Sequence, residues 1–428
     1  MVTPYSHPIL YQALDLLGEH ECTRLLGVYH QALGELHPIC SVDHLKDEAC
    51  RLQGATNIPD GCQEGNSHDA FEAEENDLLC LNIALAIAVT AEAASEPNAA
   101  TTIYESCRDL VIAKVARTAS SVKDVVVTMM MGFYYYFRGK RRLAWRMCSL
   151  AGRMAMELGL HCDNVAQQNH ETEEQETQLV TISCTLLVLD RQWSAGIGLP
   201  SNFKETDFDM AQVSRVSTPY LREMMKFTLI SHKFNEPISR VARGEALDEA
   251  KIEIIDFQVM QWRKRAMESH NYVHPDKWEA LSPQNLPPAW MTILYLRANA
   301  VRTILIRAFF LSEVDGHVAA EKVALGLDLI SESLNILSIL DRKTDAYKLL
   351  HPVFQHFVAS SCALLLLIIV FVKQNPNALP VESAATYAHQ VHRNFEIALK
   401  LSATTLPYAN TSHGCPQPSQ GKMDIYLV

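Results

Sequence analysis

Apolar residues recur at every third or fourth position along almost the whole chain, and no set of alternating, strand-like segments interrupts them. The period predicts helices near 9–17, 20–35, 42–52, 77–95, 100–118, 122–137, 141–158, 173–194, 211–243, 247–269, 289–312, 317–340, 345–373 and 380–402. The expected fold class is all-α, a large multi-helix domain of consecutive helical hairpins. The clearest pair is 122–137 with 141–158. In the first member Val122, Val125, Val126, Met129, Met130, Phe133 and Phe137 line one side. In the second, Leu143, Met147, Leu150, Ala151, Met154 and Leu158 form a matching stripe, so Met147 and Leu150 are expected to be buried against 122–137 and 173–194. Arg142, Arg146, Ser149, Arg153 and Glu157 share the opposite, solvated side.

The breaks in the pattern are as informative as the stripes. Gly139 is suited to the left-handed turn that ends the first helix of the pair. Gly159 is suited to the same position after Leu158, which places Leu160 where it folds back on Met154 or Ala155. "LVLDRQWSAGIGLP" supplies a further stop, with two glycines and Pro200. Residues 54–77 read as a long acidic loop, and 163–176 as an acidic stretch in which a helix starts late. Residues 1–403 are expected to form one domain with a proline-rich hinge near 269–288, followed by a mobile tail over 404–428. Phe357–Val372 carries no charge over sixteen residues. That is slightly short for a bilayer span, and it reads as a helix buried on all sides, with no membrane contact.

Composition narrows the function. The 428 residues are 48% hydrophobic, enough for a large core, and 37 basic against 49 acidic residues leave a net charge of −12. An acidic chain is repelled by nucleic acid phosphates unless its cations cluster. "MVTPYSHPIL" has neither the basic region nor the long apolar run of a leader, and eleven irregularly spaced cysteines fit a reducing compartment. Nothing resembles a nucleophile elbow, a phosphate loop or a dinucleotide fingerprint. Asp207 and Asp209 lack further oxygen ligands for a hard cation, and Cys50, Cys62 and His68 lack a fourth zinc ligand. "HETEEQE" lacks the second histidine of a zinc protease helix, and His274 with its neighbouring proline reads as a turn. Cations cluster at Arg138, Lys140, Arg141, Arg142 and Arg146, and again at Arg263, Lys264 and Arg265. Each cluster is either a phosphate-binding patch or import signal, or the solvated face of a helix, and the second reading is favoured. A basic first turn also opposes the helix dipole, so acidic neighbours are expected around Lys140 and Arg141.

The same helical corner carries a family resemblance. "YYYFRGKRRLAWRMCSLAGRMAMELGLHCD" and "ETEEQETQLVTISCTLLVLDRQWSAGIGLPSNFKETDFD" resemble the core of the fungal-specific transcription factor domain. Trp145, Ala151, Arg153, Met154, Ala155, Gly159, Leu160 and His161 match its first motif. Leu189, Asp190, Arg191, Ser194, Gly198, Pro200, Asp207 and Asp209 match its second. The chain departs from the family where an arginine run and paired tryptophans are common: it has Leu179, Val180, Thr181, Ser183 and Cys184, and Leu199 replaces an arginine. It also has no C-x-x-C, so the sequence lacks the six-cysteine zinc cluster that reads DNA in this family.

The resemblance implies a nuclear regulatory domain without enzymatic activity or a cofactor of its own, zinc belonging only to the absent cluster. Its expected partners are other transcription factors or coactivators, a second copy of the chain, or a small-molecule effector, with DNA reached only indirectly. The alternatives are an all-α enzyme of the terpene-cyclase type and a helical scaffold. The first would need clustered aspartates for magnesium, which the sequence does not supply.

Overall fold

The computed structural model describes residues 17–55, 68–92, 97–119, 121–161, 172–204, 213, 215–231, 234, 236–312, 316–375 and 384–409. Among them are fifteen α-helices and no strand, so the protein is all-α. The chain forms two compact units, Met1–Arg222 with Pro407–Val428, and Glu223–Leu406.

In the first unit the helices are α1 (Glu19–Tyr29), α2 (Val42–Ala55), α3 (His68–Glu92), α4 (Pro97–Val115), α5 (Val122–Phe137), α6 (Arg141–Glu157) and α7 (Glu173–Ile197). A π turn at His30–Gly34 extends α1. Helix α5 is the centre: it packs on α3, α4 and α6, and α6 packs in turn on α7. Its burial runs from Asp124 to Tyr134 without a break, so the stripe expected on one side belongs to a helix enclosed almost all round. Ser121 starts it with a reciprocal cap, its side chain accepting from the Asp124 N–H while Asp124 Oδ2 accepts from the Ser121 N–H at 3.2 Å. Asp124 also faces Lys114 of α4, whose ammonium lies 2.8 Å from Glu75 of α3. These pairs explain one departure from expectation. The acidic segment 54–77 is not all loop: α3 begins at His68, and its acidic turn is neutralised by Lys114 and by Lys123, 2.6 Å from Asp77.

The second unit begins inside α8 (Pro219–Ser231) and continues through α9 (Glu236–Ala242), α10 (Glu249–Glu268), α11 (Ala289–Phe310), α12 (Gly316–Lys343), α13 (Ala346–Leu349), α14 (His351–Gln374) and α15 (Ala384–Ala409). Helix α11 packs on α9, α10, α12 and α14. The helix expected over 211–243 is split into α8 and α9, each with a proline in its first turn. The proline-rich segment 269–288 lies inside this unit and is pinned rather than hinged. Trp278 is fully buried, its Nε1 donates to the Val273 carbonyl at 2.9 Å, and Lys343 Nζ donates to the carbonyls of Trp278, Glu279 and Leu281. Helix α15 continues to Ala409, beyond the point where the tail was expected to begin.

Two helical segments, Glu321–Lys343 and His351–Gln374, are long and apolar enough to cross a membrane by length and composition. The first is mostly buried in the unit. The second, α14, is not enclosed on all sides as its composition suggested, because Leu366 and Val370 face outward, 56% and 50% exposed. The candidate helix at 9–17 lies outside the described residues except for its last position.

Candidate functional site

The sequence motifs converge on the three-helix corner of α5, α6 and α7. Each turn there is closed by a left-handed glycine with paired backbone hydrogen bonds. At Gly139 (φ 69°) the Lys140 N–H donates to Tyr135 O and the Gly139 N–H to Tyr136 O. At Gly159 (φ 73°) the Leu160 N–H reaches Ala155 O at 2.9 Å and the Gly159 N–H reaches Met156 O at 3.0 Å. Leu160 is buried behind this turn, and its carbonyl accepts from Ser183 Oγ of α7. Gly198 (φ 67°) ends α7 in the same manner, and Pro200 carries the chain outward at an exposed position.

Asp190 then draws the chain back. Its fully buried carboxylate accepts from the Asn202 N–H at 2.9 Å, from Asn202 Nδ2 at 2.7 Å and from the Phe203 N–H at 3.1 Å. Desolvation raises its pKa above the ordinary aspartate value, and the hydrogen bonds from Asn202 and Phe203 offset only part of that rise. Neighbouring Arg191 donates to Ser201 on the same return segment. The Phe203 ring thereby lands on Gly152 of α6. A Cβ added at Gly152 would lie 2.2 Å from Phe203 Cζ, so only glycine fits. Asn202, Phe203 and Gly152 were not singled out by pattern. The signal for Gly152 was a glycine inside an otherwise good helix, which marks a close approach.

The face that α6 turns inward differs from the expected one. Ala144, Cys148, Ala151 and Ala155 are at most 1% exposed, whereas Leu143, Met147, Leu150 and Leu158 are half-buried. A Cβ at Gly132 of α5 would lie 3.2 Å from both Met147 Cβ and the Trp193 ring, so Met147 packs against α5 as expected even though part of its side chain stays exposed. Ser149, assigned to the solvated side, is buried as well. Met154 is core, accepting from Thr128 Oγ1. Trp145 and His161 are half-buried, and Trp145 Nε1 and His161 Nδ1 are enclosed without a hydrogen-bond partner.

The outer side of α6 carries the cations. Arg142, Arg146 and Arg153 are exposed on one face, Lys140 is exposed at its start, and Arg141 is half-buried. The expected acidic neighbours are not there: among the described residues no carboxylate pairs with Lys140, Arg141, Arg142, Arg146 or Arg153. The cluster near Arg263 has another role, because Arg263 donates to Asn299 Oδ1 and lies over the Tyr295 ring. A cleft of about 1220 Å³ in the first unit is lined by His30, Cys40, His44, Lys123 and Gln178, among others.

Residues 60–239 match the sequence profile of the fungal specific transcription factor domain. Over that span, less than half of the 428 residues, the chain is similar to this family. The matched span contains the glycine corner, the Asp190 hub and the row of arginines on α6. No curated protein and no solved structure matches the chain. The motif residues Gly159, Leu160, Asp190, Gly198 and Ala155 fix helix ends and the helix seam. Leu179, Val180, Thr181, Ser183 and Cys184, the positions expected to depart from the family pattern, are all buried in α7. Asp207 and Asp209 lie outside the described residues, as does Cys62 of the weak metal group.

Proposed function

We propose that the chain works in the nucleus as the regulatory part of a zinc-cluster-type transcription factor. It modulates transcription by RNA polymerase II through other transcription factors or coactivators. DNA contact is supplied by a partner or by a zinc cluster outside this sequence. The observation that carries the reading is the combination of the matched domain with an arginine face that no described carboxylate neutralises. Such a face on a chain of net charge −12 favours a local acidic partner surface, since rim charges steer association and select partners. The cleft of the first unit is large enough for a small-molecule effector as well. The role is that of an interaction module, with no catalytic step assigned to any residue.

The test is charge reversal on the exposed face alone. In a fusion to an unrelated DNA-binding domain, Arg142→Glu with Arg146→Glu should lower the reporter response severalfold while the melting temperature stays unchanged. An unchanged reporter response from the folded double variant would remove the α6 face from the mechanism.

A further inference from the structure

Three sulfur atoms meet at the inner wall of the first unit's cleft. Cys40 follows the π turn that ends α1, Cys80 lies in α3 and Met130 in α5. Cys40 Sγ donates to Met130 Sδ at 3.3 Å, and Cys80 lies beside Cys40 on the same wall of the cleft. Met130 is fully buried, Cys80 nearly so, and Cys40 is half-buried; both cysteines line the cleft. Tyr29 stands against the same two thiols. It is completely buried, and its Oη has no hydrogen-bond partner. A buried hydroxyl left unpaired is uncommon and calls for a missing acceptor.

We propose that Cys40, Cys80 and Met130 form a binding site for a soft monovalent metal ion, Cu(I), entered from the cleft. Two thiolates and a thioether are the donor set that selects Cu(I) over harder cations. Structural zinc would need four tetrahedral ligands, and no group of three or more His, Cys, Asp or Glu side chains suited to a metal occurs among the described residues. The sulfurs come from segments far apart in sequence that the helical packing already holds together, so little reorganisation is required. On binding, each cysteine thiol releases one proton to solvent and forms one S–Cu bond, while Met130 donates a lone pair. Copper remains Cu(I), no electron is transferred, and the product carries one net negative charge. An ionised sulfur also gives the Tyr29 hydroxyl the acceptor that it lacks. The site is independent of the proposed transcriptional role and involves neither the arginine face nor Asp190.

The experiment is a Cu(I) titration of the full chain under anaerobic conditions with a non-thiol reductant, in competition with a chromophoric Cu(I) chelator. The wild-type chain should withdraw one equivalent and develop a near-ultraviolet thiolate-to-copper band. Cys40→Ser, Cys80→Ser and Met130→Leu should each weaken binding by more than about tenfold, given what even outer-sphere changes cost metal sites. Cys50→Ser, which alters an exposed thiol elsewhere, should leave the affinity unchanged. Met130→Leu preserves size and polarity, so it reports on ligation even if a serine variant unfolds; circular dichroism checks each fold. Failure of the wild type to compete, or Cys40→Ser and Met130→Leu binding as tightly as wild type, would overturn the assignment.

Discussion

Replacing Asp190 by alanine removes one acceptor from three donors: the Asn202 N–H, Asn202 Nδ2 and the Phe203 N–H, all within 3.1 Å of the carboxylate. A hydrogen bond to a charged group contributes about 1.5–3 kcal/mol, so the gross loss is large. Two terms reduce it. The carboxylate is costly to bury, as its raised pKa records, and that cost disappears with it. Asn202 is half-exposed and regains water, whereas the Phe203 N–H is buried and does not. The remaining penalty is about 2–4 kcal/mol, the usual range for orphaning a buried donor together with local loosening of the return segment. In a unit of this size that lowers the melting temperature by about 4–16 °C. Asp190→Asn keeps one acceptor oxygen and the shape of the side chain, so its loss should be smaller. The pair also has a signed pH signature. The folded-state pKa lies above the unfolded value, so the folded protein holds this proton more tightly. Wild type therefore gains stability relative to Asp190→Asn as pH falls from that raised value towards 3.8. Thermal and urea denaturation followed by circular dichroism would read both effects. A shift in Asp190→Ala of less than about 0.5 kcal/mol would refute the hub, because surface substitutions alone give that much.

Gly152→Ala should cost about 1–3 kcal/mol through collision with the Phe203 ring, and Phe203→Leu should recover part of it in a double-mutant cycle. His37 is buried between Phe133 and Tyr220, and burial lowers its pKa to about 3. The unfolded chain takes up a proton below about pH 6.5 that the folded one refuses, so stability should fall by about 1.4 kcal/mol per pH unit from there towards pH 3. His37→Phe should flatten that slope in acid titrations of the urea midpoint. Leu150→Ala should cost less than about 2 kcal/mol, because the side chain is only half-buried; a loss in the 2–5 kcal/mol range of enclosed leucines would restore it to the core.

What was legible in the sequence was whatever a local rule governs. The period of three to four gave α5 and α6 with their bounds almost unchanged, and glycine chemistry gave the turns at Gly139 and Gly159 with their conformation. The inward face of α6 departs from the expected one because side-chain size does not measure depth there: Ala144, Cys148 and Ala155 are buried while Leu143 and Leu150 are half-buried. At the close approaches a glycine on one helix makes room for a large side chain, Gly132 for Met147 and Trp193 and Gly152 for Phe203. The start of α3 and the anchoring of 269–288 depend on Lys114, Lys123 and Lys343, each far away in sequence. The Asp190 motif could be matched, but its reason lay in Asn202 and Phe203, beyond the pattern. The sulfur cluster of Cys40, Cys80 and Met130 follows no spacing rule at all, since three separate elements supply it.

The central claim is that this helical body regulates transcription through its contacts. Fusing residues 1–428 to an unrelated DNA-binding domain with a nuclear import signal, and reading a reporter downstream of its site, tests that claim most directly. Expression should rise or fall against the DNA-binding domain alone, and Gly152→Ala, which disturbs the corner, should diminish the effect in step with its loss of stability. A fusion that is folded, nuclear and bound to its site, yet leaves the reporter at the level of the DNA-binding domain alone, would contradict it.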